Sequence, residues 1–113
     1  MYIAVCDDQA SELELITRLL QTWQEERRTP VRCHTFRSAG ELLDAARRER
    51  FTLYLLDIVM PGVNGMDAAH ELRSFDTIAD LVFLTASPEF AYDSYSVKAL
   101  EYLLKPICAE TLY

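Results

Sequence analysis

Several features that mark large classes of proteins are missing from this 113-residue sequence. No run of about 20 apolar residues occurs, so no segment is long enough to span a membrane as a helix. No basic N-terminal segment leads into a long apolar stretch, so no secretory signal peptide is indicated. Repeats, linkers and low-complexity segments are also absent, and the length suits a single domain over residues 1–113.

Basic residues and paired cysteines are scarce as well. Eleven Lys and Arg against 18 Asp and Glu give a formal net charge of −7, whereas nucleic-acid binding needs a basic face. We therefore do not expect the chain to bind nucleic acid by itself. The three cysteines, Cys6, Cys33 and Cys108, are far apart and show no CxxC spacing; the first two lie in apolar runs and are expected to be buried thiols. A reducing, cytoplasmic setting fits this pattern.

Apolar runs alternate along the chain with amphipathic stretches. The runs predict five strands, "YIAVC" (2–6), "VRCHTF" (31–36), "LYLLDI" (53–58), "LVFLT" (81–85) and "LEYLL" (100–104). Runs such as "LYLL" are apolar on both faces, as the strands of a parallel sheet covered by helices must be.

Helix-starting signals lie between these strands. Capping boxes at Ser11–Glu14 and Ser38–Glu41 predict the first two helices. Asn64-Gly65 opens a third helix that runs to about Arg73, Ser87-Pro88 opens a fourth with proline in its first turn, and "ICAETLY" begins a fifth. Strands that alternate with helices in this way predict an α/β fold with a doubly wound, five-stranded parallel sheet.

Acidic, hydroxyl and amine side chains follow the predicted strands. Asp7 and Asp8 end the first strand, Asp57 lies near the end of the third, Thr85 ends the fourth, and Lys105 follows the fifth. Ligands of open parallel sheets bind beyond this edge. Two carboxylates about 4 Å apart repel by roughly 4 kcal/mol at an effective dielectric constant near 20, so three of them favour a cation. Oxygen ligands and partial solvent access suit Mg²⁺.

Four motifs at these positions resemble those of the receiver domains of two-component response regulators. They are "CDDQ" (6–9), "LLDIVMPGVNG" (55–65), "LTAS" (84–87) and "YLLKP" (102–106), and the resemblance runs over the whole chain. The stretch "FAYDSYSVKALEYLLKPI" (90–107) most resembles receivers that precede a LytTR-type DNA-binding domain. The resemblance implies a flavodoxin-like (βα)5 fold with the strand order 2-1-3-4-5.

The resemblance also implies a role for each acidic residue. Asp57 would be the phosphoacceptor, a carboxylate nucleophile that forms an acyl phosphate. Asp8, Asp57 and the main-chain carbonyl of Val59 would bind Mg²⁺ directly, and Asp7 would act mainly through a metal-bound water.

The remaining site residues would act on the phosphoryl group. Thr85 would hydrogen-bond to it, and Lys105 would pair with another of its oxygens. The Lys105–Pro106 bond would be cis, which aims the lysine into the site. Tyr102 would be the aromatic switch that turns inward when Thr85 moves.

Partners follow from the same resemblance. The phosphoryl donor would be a sensor histidine kinase, and the chain would be a signalling switch that catalyses only its own phosphorylation and dephosphorylation. The fourth helix, fifth strand and fifth helix would form the face that changes, which is expected to be a homodimer interface in the full-length protein. DNA would be bound only through an output domain that lies outside this chain, and no membrane contact is expected.

Three alternatives remain open at this point. A haloacid-dehalogenase-type phosphatase also uses a strand-end Asp with Mg²⁺, but it carries a second Asp where this chain has Val59. A flavodoxin-type flavin carrier needs a hydroxyl-rich loop after the first strand, where "DDQASE" is acidic. A degenerate receiver that serves only as an interaction module usually lacks one of the acids, the Thr or the Lys, and here all are present.

Two further hypotheses concern particular positions. Val59 and Ser87 each lie two residues after a site residue, and Val59 has no polar group to orient an attacking water, which predicts a long-lived phosphoryl state. The final helix has barely two turns after Pro106, which suggests a piece of a longer transcription regulator cut inside its fifth helix, with weakened dimerisation through that face.

Overall fold

Five short strands form one parallel sheet in this computed structural model, which describes residues 1–112 apart from the side chain of Thr111. The strands are β1 (Tyr2–Cys6), β2 (Arg32–Phe36), β3 (Leu53–Leu56), β4 (Asp80–Thr85) and β5 (Glu101–Leu104). Their order across the sheet is β2-β1-β3-β4-β5, and every neighbouring pair is parallel. The predicted fold class and strand order are confirmed.

Both faces of the sheet are covered, because successive side chains of a strand point to opposite sides. Along β3, Tyr54 and Leu56 pack with Leu42 and Leu72 of the helices on one face. Leu55, between them, packs on the other face with a helix residue, Ile16. This double burial explains why the strands read as continuous apolar runs.

Within residues 1–112, four α-helices surround the sheet, namely α1 (Ala10–Arg27), α2 (Ala39–Arg48), α3 (Gly65–Arg73) and α4 (Ala109–Leu112). The predicted start of α2 is confirmed, since Ser38 Oγ accepts the Glu41 N–H at 3.2 Å. The start of α3 is confirmed as well, since Asn64 Oδ1 accepts the Asp67 N–H at 2.8 Å. None of the described helices combines the length and the apolar character that crossing a bilayer requires.

The prediction that Ser11 caps the first helix is wrong. The helix begins at Ala10, so Ser11 lies inside it, and Gln9 occupies the capping position without a side-chain bond. Asp7 explains the earlier start, because its Oδ1 accepts the Gln9 N–H at 3.0 Å and closes an Asx turn directly after β1.

The prediction of a fourth α-helix after Ser87-Pro88 is also wrong. Over residues 86–100, all of which the structure describes, the only helix is a short 3₁₀ helix, Asp93–Val97. Ser94 Oγ donates to the Ala91 carbonyl at 2.6 Å, and Ser96 Oγ donates to the Asp93 carbonyl at 2.7 Å. Such local bonds compete with a regular helix. Lys98, with φ of 54°, then turns the chain toward β5.

Candidate functional site

The predicted site residues lie at the carboxyl edge of the sheet. Backbone hydrogen bonds between neighbouring strands continue one residue beyond the strand ends. They fix the backbone of three of the site residues. Asp7 N donates to the Phe36 carbonyl at 3.1 Å, Asp57 N to the Cys6 carbonyl at 2.9 Å, and Lys105 N to the Thr85 carbonyl at 2.9 Å. The parallel topology therefore brings together residues that are up to 98 positions apart in the chain.

Three carboxylates form the centre of this edge. One oxygen from each of Asp7, Asp8 and Asp57 lies within 4.8 Å of the others. Asp7 and Asp57 are buried, with 1% and 6% of their surface exposed, whereas Asp8 is partly buried. Burial strengthens their mutual repulsion, because less water screens the charges.

Lys105 is the cation within this group. Its Nζ lies 2.7 Å from Asp7 Oδ2 and 3.5 Å from Asp57 Oδ2. Burial alone would lower the pKa of Lys105, but the hydrogen bond to Asp7 and the Asp57 charge outweigh it, so the pKa is raised. The Lys105–Pro106 peptide bond is cis.

The surroundings of Asp57 oppose the ionisation of its carboxyl group. Burial raises the pKa of Asp57, Lys105 counteracts the rise, and the negative charge of Asp7 adds to it. A hydrogen bond from Thr85 and the Ile58 N–H, which donates to Asp57 Oδ1 at 2.8 Å, lowers the pKa again, yet the net shift is upward. The ionised carboxylate is therefore held at some cost, which a positive ligand would relieve.

Thr85 and Tyr102 meet at the backbone of Ser87. The side chain of Thr85 is fully buried, and its Oγ1 accepts the Ser87 N–H at 3.3 Å. The Tyr102 hydroxyl donates to the Ser87 carbonyl, and its ring lies 6.0 Å from that of Phe83. One short loop thus connects the hydroxyl at the site with the aromatic residue of β5.

The loop after Asp57 is shaped by two glycines. Gly62 has φ of +77°, which a residue with a side chain rarely adopts. Gly65 instead permits a close approach, since a Cβ there would lie 2.0 Å from the main-chain oxygen of Asp57. Val59 precedes both glycines in this loop and is 60% exposed.

Two residues of this edge were not identified from the sequence. Glu12, in the first turn of α1, has a buried Oε2 without a hydrogen-bond partner among the described atoms, and its charge contributes to raising the pKa of Lys105. Arg37, directly after β2, donates from Nη2 to the Asp8 carbonyl at 3.0 Å. Arg37 follows β2 as Asp7 follows β1, so its place at this edge follows from the sequence, but the directions of the Arg37 and Glu12 side chains do not.

The donor set fits Mg²⁺. The cluster offers carboxylate oxygens only, which hard divalent cations prefer. One lysine faces three clustered acids, and the unpartnered oxygen of Glu12 adds a fourth negative charge nearby. A divalent cation would offset this excess.

Comparison with known proteins identifies the family. The model of the response regulator receiver domain matches residues 3–113, and the chain belongs to this family. The positive alginate biosynthesis regulatory protein of Pseudomonas aeruginosa is 30% identical over 112 residues, covering 99% of this chain and 44% of the relative. The sensory transduction protein LytT of Oceanobacillus iheyensis is 27% identical, covering 97% and 44%. The chain thus spans less than half the length of these two relatives.

Solved structures agree with this assignment. The Thermotoga maritima response regulator TrrA, in complex with Mg²⁺ and BeF, is 32% identical and superposes with a TM-score of 0.84 over 98% of this chain and 91% of that one. A CheY-like receiver domain from Methanospirillum hungatei has a TM-score of 0.86 at 23% identity, over 98% and 86% of the two chains, and supports the fold. The protein is therefore the receiver domain of a two-component response regulator, a class of signalling switches that interact with histidine kinases.

Proposed function

We propose that Asp57 accepts a phosphoryl group from a sensor histidine kinase. The observation that carries this proposal is the convergence of a buried Asp57 with Asp7, Asp8 and Lys105 at one edge of the sheet. The Thermotoga maritima relative, whose structure is a complex with Mg²⁺ and BeF, supports Mg²⁺ binding by this chain as well.

Asp8, Asp57 and the main-chain carbonyl of Val59 would hold Mg²⁺, and Asp7 would contact it mainly through water. When bound, Mg²⁺ supplies positive charge that offsets the carboxylates and the phosphoryl oxygens. The distance of at most 4.8 Å between carboxylate oxygens of the three acids supports this assignment.

In the proposed reaction, a carboxylate oxygen of Asp57 attacks the phosphorus of a phosphohistidine. The new P–O bond forms as the P–N bond breaks, and the electron pair of that bond stays on the imidazole nitrogen of the kinase. The ammonium of Lys105 and the hydroxyl of Thr85 donate hydrogen bonds to the transferred oxygens, which stabilises the charge on them. Later attack of water on phosphorus breaks the bond to Asp57 and releases inorganic phosphate.

The chain contains the parts of a switch beside this acceptor. Once Thr85 turns toward the phosphoryl group, it no longer holds the Ser87 N–H at 3.3 Å, and the loop bonded to the Tyr102 hydroxyl is free to rearrange. Phosphorylation would thereby shift an existing equilibrium of the Tyr102 side chain.

The output would be regulation of transcription through a LytTR-type DNA-binding domain outside this chain, in the cytoplasm. The relative LytT, named as a sensory transduction protein, supports a signalling role by similarity. Homodimerisation would use the 3₁₀ segment, β5 and the last helix, where the exposed side chains of Tyr92, Tyr95 and Leu104 offer apolar surface.

Intact-mass measurement tests the proposal. The chain is incubated with acetyl phosphate as the small-molecule donor, with Mg²⁺ or with a chelator, and beside an Asp57→Asn variant. We expect a gain of one phosphoryl group only for the parent chain with Mg²⁺. Mg²⁺ binding without any gain would instead favour a degenerate receiver that acts only as an interaction module.

A further inference from the structure

We propose that Arg37 is a positioning residue for the metal site, because its guanidinium holds the loop that carries Asp8 in the geometry that binds Mg²⁺. The contact that carries this inference is the 3.0 Å hydrogen bond from Arg37 Nη2 to the main-chain carbonyl of Asp8. The inference rests on the proposed use of Asp8 as a metal ligand.

Asp8 needs such a support more than its neighbours do. The backbone of Asp7 is bonded to β2, and both of its carboxylate oxygens have partners, Gln9 N and Lys105 Nζ. The backbone of Asp57 is bonded to β1, and Ile58 N fixes one of its carboxylate oxygens. Asp8 is held differently. Within the part of the chain that the structure describes, its hydrogen bond is the one that its main-chain carbonyl accepts from Arg37.

The backbone of Arg37 is held in place by hydrogen bonds at the start of α2. Its backbone N–H donates to Glu41 Oε2 at 3.2 Å, and the Glu41 N–H donates to Ser38 Oγ at 3.2 Å. The first turn of α2 thus fixes the backbone of Arg37, and the side chain transmits this order across to the loop between β1 and α1. A loop that samples fewer conformations presents Asp8 to the metal more often, and apparent affinity scales with the fraction of binding-competent molecules.

Charge alone predicts the opposite effect of removing Arg37. A guanidinium beside a cation site repels the cation, so its loss through electrostatics would strengthen Mg²⁺ binding. Loss of the positioning bond would weaken it. The sign of the change in affinity therefore separates the two roles, and raised salt, which screens the charge effect between exposed groups, makes the positioning effect more visible.

The test measures Mg²⁺ affinity calorimetrically for the parent chain, Arg37→Ala and Arg48→Ala at low and raised salt. Arg48 is the matched control, an exposed arginine in the last turn of α2, at the opposite end of that helix from Arg37. We expect Arg37→Ala to weaken binding about three- to tenfold, the range that one net hydrogen bond contributes, and Arg48→Ala to change it by less than about twofold. Thermal melts without metal check that both variants are folded.

A second readout distinguishes positioning from a direct role in the reaction. The rate of phosphorylation by acetyl phosphate is measured against Mg²⁺ concentration, and we expect Arg37→Ala to raise the half-saturating concentration more than it lowers the saturated rate. Unchanged or tighter Mg²⁺ binding in Arg37→Ala overturns the proposal for Arg37 and leaves the metal site standing. A parent chain that binds no Mg²⁺ overturns both.

Discussion

Replacing Gly65 by alanine probes the contact between the start of α3 and the backbone of Asp57. A Cβ at this position would lie 2.0 Å from the Asp57 carbonyl oxygen and 2.8 Å from both the Asp57 carbonyl carbon and Ile58 Cα. All three atoms belong to the backbone, so no side-chain rotation relieves the overlap. The Gly65 N–H also donates to the Ile58 carbonyl at 2.8 Å, which ties the helix to this loop.

The expected cost follows from this geometry. Overpacking costs about 1–3 kcal/mol, and movement of the backbone places Gly65→Ala at the upper end of that range. For a domain of this size, each kcal/mol lowers the melting temperature by about 4 °C, so we expect a decrease of about 8–12 °C. The shift of the Asp57 backbone should also slow phosphorylation by acetyl phosphate.

Gly40 provides the matched control for this substitution. It lies in the first turn of α2, and a Cβ there would meet nothing within 4 Å. Alanine in a helix is more stable than glycine by about 0.5–1 kcal/mol, so Gly40→Ala should be neutral or stabilising. Thermal unfolding followed by circular dichroism compares the three proteins, and a Gly65→Ala chain that melts with the parent and is phosphorylated as fast would refute the reasoning.

Three further predictions concern the ionisation, the metal and the lifetime of the site. Burial is the main reason that the pKa of Asp57 is raised in the folded state, so ionisation of Asp57 destabilises the metal-free fold. This loss of stability develops as the pH rises from the ordinary carboxyl pKa through the raised pKa. Metal-free Asp57→Asn should therefore be more stable than the parent at pH 7, with the difference disappearing below about pH 4 in denaturant titrations; a constant difference across this range would contradict it. Mg²⁺ at 100 times its dissociation constant should stabilise the parent by about 2.7 kcal/mol in thermal melts, and Asp8→Asn should lose most of this gain. Val59→Asn should shorten the lifetime of the phosphorylated form, as followed by intact mass after donor removal, and a variant that loses phosphate no faster than the parent counts against a water-orienting role at this position.

The fold was predictable because its signals are local and consistent. Continuous apolar runs occur only where both faces of a strand are buried, and β3, with Tyr54 on one side and Leu55 on the other, shows that this is so. Side-chain caps were predictable where the capping residue is the one that closes the turn, as at Ser38 and Asn64.

The errors arose where side-chain hydrogen bonds to nearby backbone groups compete with the predicted local structure. Ser11 has a capping sequence, but the helix begins one residue before it, directly after the turn in which Asp7 Oδ1 accepts the Gln9 N–H. The segment after Pro88 has a good helix start, but Ser94 and Ser96 bond to nearby carbonyls within a 3₁₀ turn. Such competition depends on three-dimensional geometry that spacing alone does not contain.

The site was predictable in its centre and not at its rim. Asp7, Asp57, Thr85 and Lys105 each end or follow a strand, and parallel topology forces those ends together. Arg37 and Glu12 act through the direction of long side chains, toward the Asp8 carbonyl and toward the surroundings of Lys105. Rotamers of such flexible residues are set by packing and are not visible in the order of residues.

Mapping the phosphorylated residue tests the central claim most directly. The parent chain is phosphorylated with acetyl phosphate and Mg²⁺, the acyl phosphate is reduced with borohydride, which converts the modified aspartate to homoserine, and peptides are sequenced by mass spectrometry. We expect homoserine at position 57, in place of Asp57, and unmodified aspartate at Asp7 and Asp8. Homoserine at Asp7 or Asp8, or an unmodified chain that nevertheless binds Mg²⁺, would contradict it.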